Sequence, residues 1–311
     1  MNIEYAIIVK NKTRLESLIE RFNTKAQARF YIERLGGNFD DYELEHETFH
    51  QSLTELQMQL SKIIKHKIVD RSFVSSFIFS ENNVIIAIGQ DGLVANTAKY
   101  AKGIPIIGVN PDKSRYDGVL LPFSVTDFMA GVEDVMYNQF NSEIKRFAEA
   151  RLNDGQKIIA FNDLFIGAAS HISARYKITY HNKTEEQSSS GLIVSTPAGA
   201  TGWLSSIFNM AYGVASMFEK ELKPKRPKLK EGQLLFAVRE PFQSIRTQTG
   251  ISAGIIQNES KLIIESLMPS NGVIFSDGIE ADFLKFNSGS IAVISLANEA
   301  ANIVTNKKKH K

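Results

Sequence analysis

Cysteine is missing from this 311-residue chain, so neither disulfides nor thiolate metal sites are available to it, although that absence fixes no compartment. Charge of one sign is missing too. Lys and Arg total 36 against 34 Asp and Glu, a net charge of +2, and the basic residues form no long tract, so no nucleic-acid partner is expected. No stretch approaches the roughly 18 consecutive apolar residues of a membrane helix. The start, MNIEYAIIVKNKTR, turns polar after a short apolar run and has no small-residue cleavage pattern, so a cytoplasmic protein without a membrane partner is expected. There is no internal repeat. The 43% hydrophobic content is that of a globular chain long enough for one large domain or two smaller ones.

Hydrophobic periodicity divides the chain into two textures. Ile3 to Val9 reads as a first strand, and Leu15, Leu18, Ile19 and Phe22 follow at helical spacing; a second helical stretch stops at Gly36-Gly37. Phe49, Leu53, Leu56, Leu60 and Ile63 form one apolar stripe of a third helix. Val84 to Ile88 and Ile104 to Val109 are near-continuous β-branched runs separated by one helix, which makes a βαβ unit of a parallel sheet. Ser124 and Asp127 open a further helix running to about Tyr137.

From about Asn141 the pattern changes to short strands. Lys157 to Ile166, Ala174 to Tyr180, Gly191 to Ser195, Leu234 to Val238, Lys261 to Ser266 and Gly272 to Phe275 are expected strands, with a hairpin turn at Asn153-Asp154-Gly155 and a polar loop over His181 to Ser189. The expected fold is α/β, an α/β half followed by a β-rich half.

Three stretches carry candidate chemistry. In GQDGL, Asp91 lies between Gly89 and Gly92, just past the carboxyl end of a strand, where open α/β sheets place their ligands. Glycines let a phosphate approach backbone amides, the next helix offers its N-terminus to that anion, and the carboxylate can take a proton or hold magnesium. A tight turn with Asp91 capping the helix is the structural alternative. In the loop TPAGATGW, small and hydroxylated residues permit close backbone contact, and Trp203, the only tryptophan, can either stack on an aromatic ring or serve the core. Asn162-Asp163 interrupts an apolar run with an amide and a carboxylate, which suit ribose hydroxyls if they are not simply a capped bend.

A fourth motif, HETFH at His46 to His50, has the HExxH spacing that places two imidazoles on one helix face around zinc. It needs a third ligand, and no HxxGxxH continuation follows, so no resident metal site is expected. The basic stretch Lys220 to Lys230 and the terminal KKKHK read as solvated segments.

Taken together, these stretches resemble the NAD kinase family from about Ile68 onward. GQDGL stands where the family has GGDGT, Asn162-Asp163 where it has Asn-Glu, TPAGATGW where it has TPTGSTAY, and Ser276-Asp277-Gly278 resembles its late Val-Asp-Gly. The run Ile104 to Pro122, FNDLFIG, Ser189-Ser190-Gly191, Trp203 and Arg239-Glu240-Pro241 are similar to the mitochondrial-type branch. The resemblance implies a Rossmann-like N-terminal α/β domain, residues 1–137, a β-rich C-terminal domain, residues 138–294, with the tail from about residue 295 to 311 packing back on the first domain, and a homodimer or larger assembly. It also implies ATP-dependent phosphorylation of the adenosine-ribose 2′-hydroxyl of NAD, with Mg2+ accompanying ATP. Asp91 would be the catalytic carboxylate; Gly89, Gly92, Asn162, Asp163, Ser190, Thr196, Thr201, Gly202, Trp203 and Asp277 would bind substrates. Gln90 and Leu93 replace a glycine and a threonine of the family motif. A catalytically silent dinucleotide-binding relative, or a kinase of the same fold for another hydroxyl acceptor, is the alternative.

Overall fold

The structure, a computed structural model, describes residues 3–218, 227–257 and 260–306, apart from the side chains of 280 and 281. Most of the basic Lys220 to Lys230 stretch and all of KKKHK lie outside the described residues. The chain divides into two compact units, Met1–Ile144 with Ala301–Lys311, and Lys145–Ala300.

The first unit runs β1 (Tyr5–Lys10), α1 (Arg14–Phe22), α2 (Lys25–Arg34), α3 (Asp40–Leu60), β2 (Lys65–Asp70), a 3₁₀ turn, β3 (Asn83–Ile88), α4 (Asp91–Tyr100), β4 (Pro105–Asn110), β5 (Phe123–Ser124) and α5 (Phe128–Met136). Its sheet is parallel in the order β2-β1-β3-β4, with β5 beside the end of β4. All six residues of β3 and all six of β4 are buried, as expected of strands covered on both faces. On one face Phe49, Leu53, Leu56 and Leu60 of α3 and Phe128, Val132 and Val135 of α5 pack on Val84, Ile86, Ile88 and Ile107. Truncating a side chain such as Leu56 to alanine there costs about 2–5 kcal/mol.

One helix expectation needs correction. Ile63 does not extend the α3 stripe: the helix ends at Leu60, and Ile63 is 42% exposed. The helix expected after Ser124 and Asp127 is α5, which begins one residue past Asp127, whose carboxylate accepts the Ser124 N–H at 2.6 Å and the Asn306 amide at 3.1 Å.

The second unit is antiparallel. It contains β6 (Ser142–Leu152, entering from the first unit), β7 (Lys157–Ala160), β8 (Asp163–Ala168), β9 (Ala174–Tyr180), β10 (Lys183–Ser189), β11 (Leu192–Ser195), α6 (Trp203–Ala215), β12 (Gln233–Val238), β13 (Ala253–Gln257), β14 (Leu262–Ser266), β15 (Gly272–Ser276), β16 (Ile279–Lys285) and β17 (Ile291–Val304). One sheet has the order β10-β9-β14-β17, the other β13-β12-β11-β8-β15-β16. Their inner faces share one core in which Tyr176, Ile178, Ile264 and Ile294 meet Ile166, Val194, Phe236 and Ile274. The last residues of β17 belong to the first unit, where Asn302 and Ile303 pair with Pro105 and Ile106 of β4.

The polar segment His181 to Ser189 is not a loop. His181 and Asn182, at φ 45° and 61°, form the two-residue turn of a hairpin, and β10 pairs with β9 along its whole length. Its inward Gln187 is fully buried and satisfied by Tyr176, Glu185 and Ile251, so hydrogen bonds replace the apolar alternation that marks most strands. The single run Lys157 to Ile166 is instead two strands, bent at Phe161-Asn162.

Candidate active site

In the first unit the site begins where β3 ends. Gly89 and Gln90 make the turn, and Asp91 is the first residue of α4. The 111–122 loop folds back over β4 so closely that a Cβ on Gly108 would lie 2.0 Å from the Leu120 carbonyl; only glycine fits. That approach lets the Leu120 N–H reach Asp91 Oδ1 at 2.6 Å. Asp91 therefore faces the loop rather than capping α4, and Gln90, at the cap position, makes no side-chain cap bond either. With Oδ1 committed, Oδ2 is the oxygen left to a substrate or metal. A single carboxylate suits magnesium, which keeps most of its water and binds one or two carboxylates together with substrate phosphates.

The two departures from the family motif occupy different places. Leu93 is buried, 3.2 Å from where a Gly89 Cβ would stand, and serves the packing of α4. Gln90 is exposed and lines a small cavity of about 90 Å³ together with Gly89, Gly92, Lys12, Arg71 and Tyr116. A Cβ added at Gly92 would meet nothing within 4 Å. The first turn of α4 is thus open above Gly92, where an anion can approach helix N-terminal amides.

In the second unit four of the sequence-selected residues converge. The Asp277 carboxylate accepts the backbone N–H groups of Phe161 at 3.0 Å, Asn162 at 2.6 Å and Asp163 at 3.2 Å, which fixes the bend between β7 and β8. Charged acceptors of this kind contribute about 1.5–3 kcal/mol each when well placed. Asp277 itself sits at φ 54°, one residue before Gly278 in the β15–β16 turn. Thr196 is fully buried, donates its hydroxyl to the Phe161 carbonyl at 2.6 Å, and accepts the Gly199 N–H at 3.3 Å. Gly199 lies against the bend: a Cβ there would be 2.4 Å from the Asn162 carbonyl and 2.8 Å from Asp163 Oδ1.

Asp163 is the electrostatically unusual group. Burial pushes its carboxyl up to about 7, a hydrogen bond from Ser195 across the β8–β11 pair pulls the other way, and the neighbouring Asp277 charge adds to the rise. Its Oδ1 is buried without a hydrogen-bond partner, a condition that a ligand donor would relieve.

The remaining predicted residues are spread around this cluster. Thr201 and Gly202 are exposed at the start of α6, a helix that the small-residue composition of the loop concealed. Trp203, its first residue, stacks nearly parallel on Phe165, with centroids 5.7 Å apart at 8°, and the Arg239 guanidinium lies 5.5 Å over its ring. Trp203 is half-buried, and with Ser190, Arg239, Phe165 and Phe275 it lines a cavity of about 780 Å³. That volume is within the usual range of small-molecule sites. Sequence reasoning did not select Leu120, Ser195, Phe165 or Phe275, since a backbone N–H donor and ordinary strand residues carry no signal of their own.

No family model matches the chain. Among curated proteins, an NAD kinase of Heliobacterium modesticaldum is 31% identical over 129 residues, 39% of this chain and 44% of the relative. An NAD kinase of Bacteroides fragilis is 30% identical over 142 residues, 42% of this chain and 48% of the relative. The matches thus span less than half the length of these relatives. Among solved structures, yeast NADH kinase complexed with NADH aligns over 99% of this chain and 85% of its own, at TM-score 0.61 and 13% identity. An NAD kinase from Archaeoglobus fulgidus in complex with ATP aligns over 98% and 95%, at TM-score 0.57 and 15% identity. At such identities the structural matches establish the fold, an N-terminal α/β domain followed by a β-rich one. The sequence matches are to NAD kinases over part of each chain, and the structural matches are of fold.

Proposed function

We propose that the protein is an NAD kinase, transferring the γ-phosphoryl group of ATP to the adenosine-ribose 2′-hydroxyl of NAD. The observation that carries the proposal is Asp91, held by one oxygen at the N-terminus of α4 with open space above Gly92. In the transfer, the 2′-oxygen forms its bond to phosphorus as the bond to the ADP oxygen breaks. Asp91 Oδ2 accepts the hydroxyl proton or orders Mg2+. Phosphoryl transfer asks for positioning and charge stabilisation more than for a covalent nucleophile, so one carboxylate beside exposed amides is sufficient machinery.

Dinucleotide contacts are proposed for the second unit. Asn162, Thr201 and Gly202 present hydroxyl, amide and backbone groups, Thr196, whose hydroxyl is spent on Phe161 and Gly199, would hold the loop from beneath, and Asp163 has an unpartnered oxygen suited to a hydroxyl donor. Asp277 would act by holding the Asn162-Asp163 bend. Ser190 and Trp203 would border the larger cavity. The relatives named as NAD kinases and the folds of the enzymes solved with NADH and with ATP support the assignment. We place the protein in the cytoplasm, as a homodimer or larger, within the mitochondrial-type branch; among the described residues no helix is long and apolar enough to cross a membrane.

Leu93, buried in place of the motif threonine, favours a second reading, a dinucleotide-binding protein without turnover. The two are separated by incubating the protein with NAD, ATP and Mg2+ and measuring NADP. Formation of NADP supports the kinase; NAD binding by calorimetry with no NADP supports the silent relative.

A further inference from the structure

The HExxH-type segment gains in three dimensions the ligand it lacks along the chain. His46 and His50, four residues apart on α3, bring their rings to a centroid separation of 4.3 Å, and Glu16 of α1 brings a carboxylate to the same place. One ligand atom from each of the three residues lies within 4.8 Å of the other two. We propose that Glu16, His46 and His50 bind one zinc ion that ties α1 to α3.

The three groups are already oriented. Glu16 Oε2 accepts the Thr13 N–H at 2.7 Å as part of the capping box that starts α1. That anchors the carboxylate and leaves Oε1 3.2 Å from His50 Nε2, close to the spacing of roughly 3.3 Å between tetrahedral ligands about 2 Å from zinc. Thr13 Oγ1, in turn, lies 2.9 Å from His46 Nδ1, the kind of outer hydrogen bond that fixes the orientation of a ligating imidazole. Thr13 is 5% exposed, so this support is part of the packed α1–α3 contact. A surface depression lined by His46, His50, Gln51 and Thr54 opens beside the cluster and provides an entry path.

The donor set favours a transition metal over magnesium or calcium. Two imidazoles with one carboxylate match zinc, whereas magnesium and calcium take oxygen ligands. Three protein ligands leave the fourth position to water. The cluster shares none of the residues assigned to NAD or ATP, so the zinc site stands whether or not the kinase assignment does.

The test uses the untagged full chain, stripped with a chelator, with Zn2+ titrated against a chromophoric competitor and Co2+ absorption recorded as a coordination probe. One equivalent of Zn2+ is expected to bind and to raise Tm, and Co2+ is expected to give visible bands of low coordination number. His46→Ala, His50→Ala and Glu16→Gln should each weaken binding at least tenfold, while His66→Ala leaves it unchanged. Glu16→Gln keeps an oxygen for the Thr13 N–H, and melting of each metal-free variant checks that it is folded. Absence of stoichiometric binding to the parent protein, or undiminished binding in folded His46→Ala, would overturn the proposal; the latter would reduce the cluster to a Glu16–His50 pair.

Discussion

The backbone N–H of Leu120 and the carboxylate of Asp91 are joined by a 2.6 Å hydrogen bond, so the residue proposed to act on the reacting hydroxyl also fastens the loop that crosses β4. The two roles are separable by substitution. Asp91→Ala leaves a part-buried N–H without its acceptor and should lower stability by about 1–3 kcal/mol. Asp91→Asn retains an oxygen for Leu120 and should lose less than about 1 kcal/mol. Urea denaturation of the three proteins measures both, and equal losses in Ala and Asn would show that the bond does not hold the loop.

Stability should fall as pH rises through the titration range of Asp163. Its carboxyl is raised to about 7 in the folded state from the 3.8 of a free aspartate. Between those values the folded protein holds a proton that the unfolded chain has released, so the free energy of unfolding decreases with pH. At about 1.4 kcal/mol per unit the full effect is at most roughly 4 kcal/mol. Above pH 7 the contribution is constant. Asp163→Asn should flatten the dependence between about pH 4 and 7 and be the more stable protein at pH 8. Parallel pH profiles of the variant and the parent in urea would contradict the assignment.

The open space above Gly92 gives a functional test that does not weaken the fold. A Cβ there meets no neighbour, and alanine in the first turn of α4 should stabilise the helix by roughly 0.5–1 kcal/mol. If a phosphate group approaches these amides, Gly92→Ala should raise the KM for ATP by about tenfold or more while Tm holds or rises. An unchanged KM would place the phosphates elsewhere.

The sequence made the βαβ unit legible because β3 and β4 are wholly buried and written in β-branched residues, and Asp91 was legible because it stands at the junction of that pattern with two glycines. β2 escaped notice: KHKIVD is an edge strand whose charged residues face outward, so it shows no apolar run. The Asn162-Asp163 bend was visible as a polar interruption. Its stabiliser, Asp277, could be placed beside it only by resemblance, because 114 residues separate Asp277 from Asp163 and local spacing carries no record of a long-range contact. Glu16 was hidden for the same reason. It reads as the capping-box acid of α1, and its second oxygen meets His50 only through the packing of α1 on α3. Trp203 was singled out as unique, but its environment, a stack on Phe165 beneath Arg239, is a property of the sandwich face rather than of the loop sequence.

The most direct test of the account is NADP formation by the purified protein with NAD, ATP and Mg2+, coupled to an NADP-specific dehydrogenase, with Asp91→Asn in parallel. Losing a positioned acid–base group costs roughly 10²-fold or more in rate. The account predicts ATP-dependent NADP formation by the parent and a loss of at least that size in the folded variant. NADP formation undiminished in Asp91→Asn, or none by the parent, would contradict it.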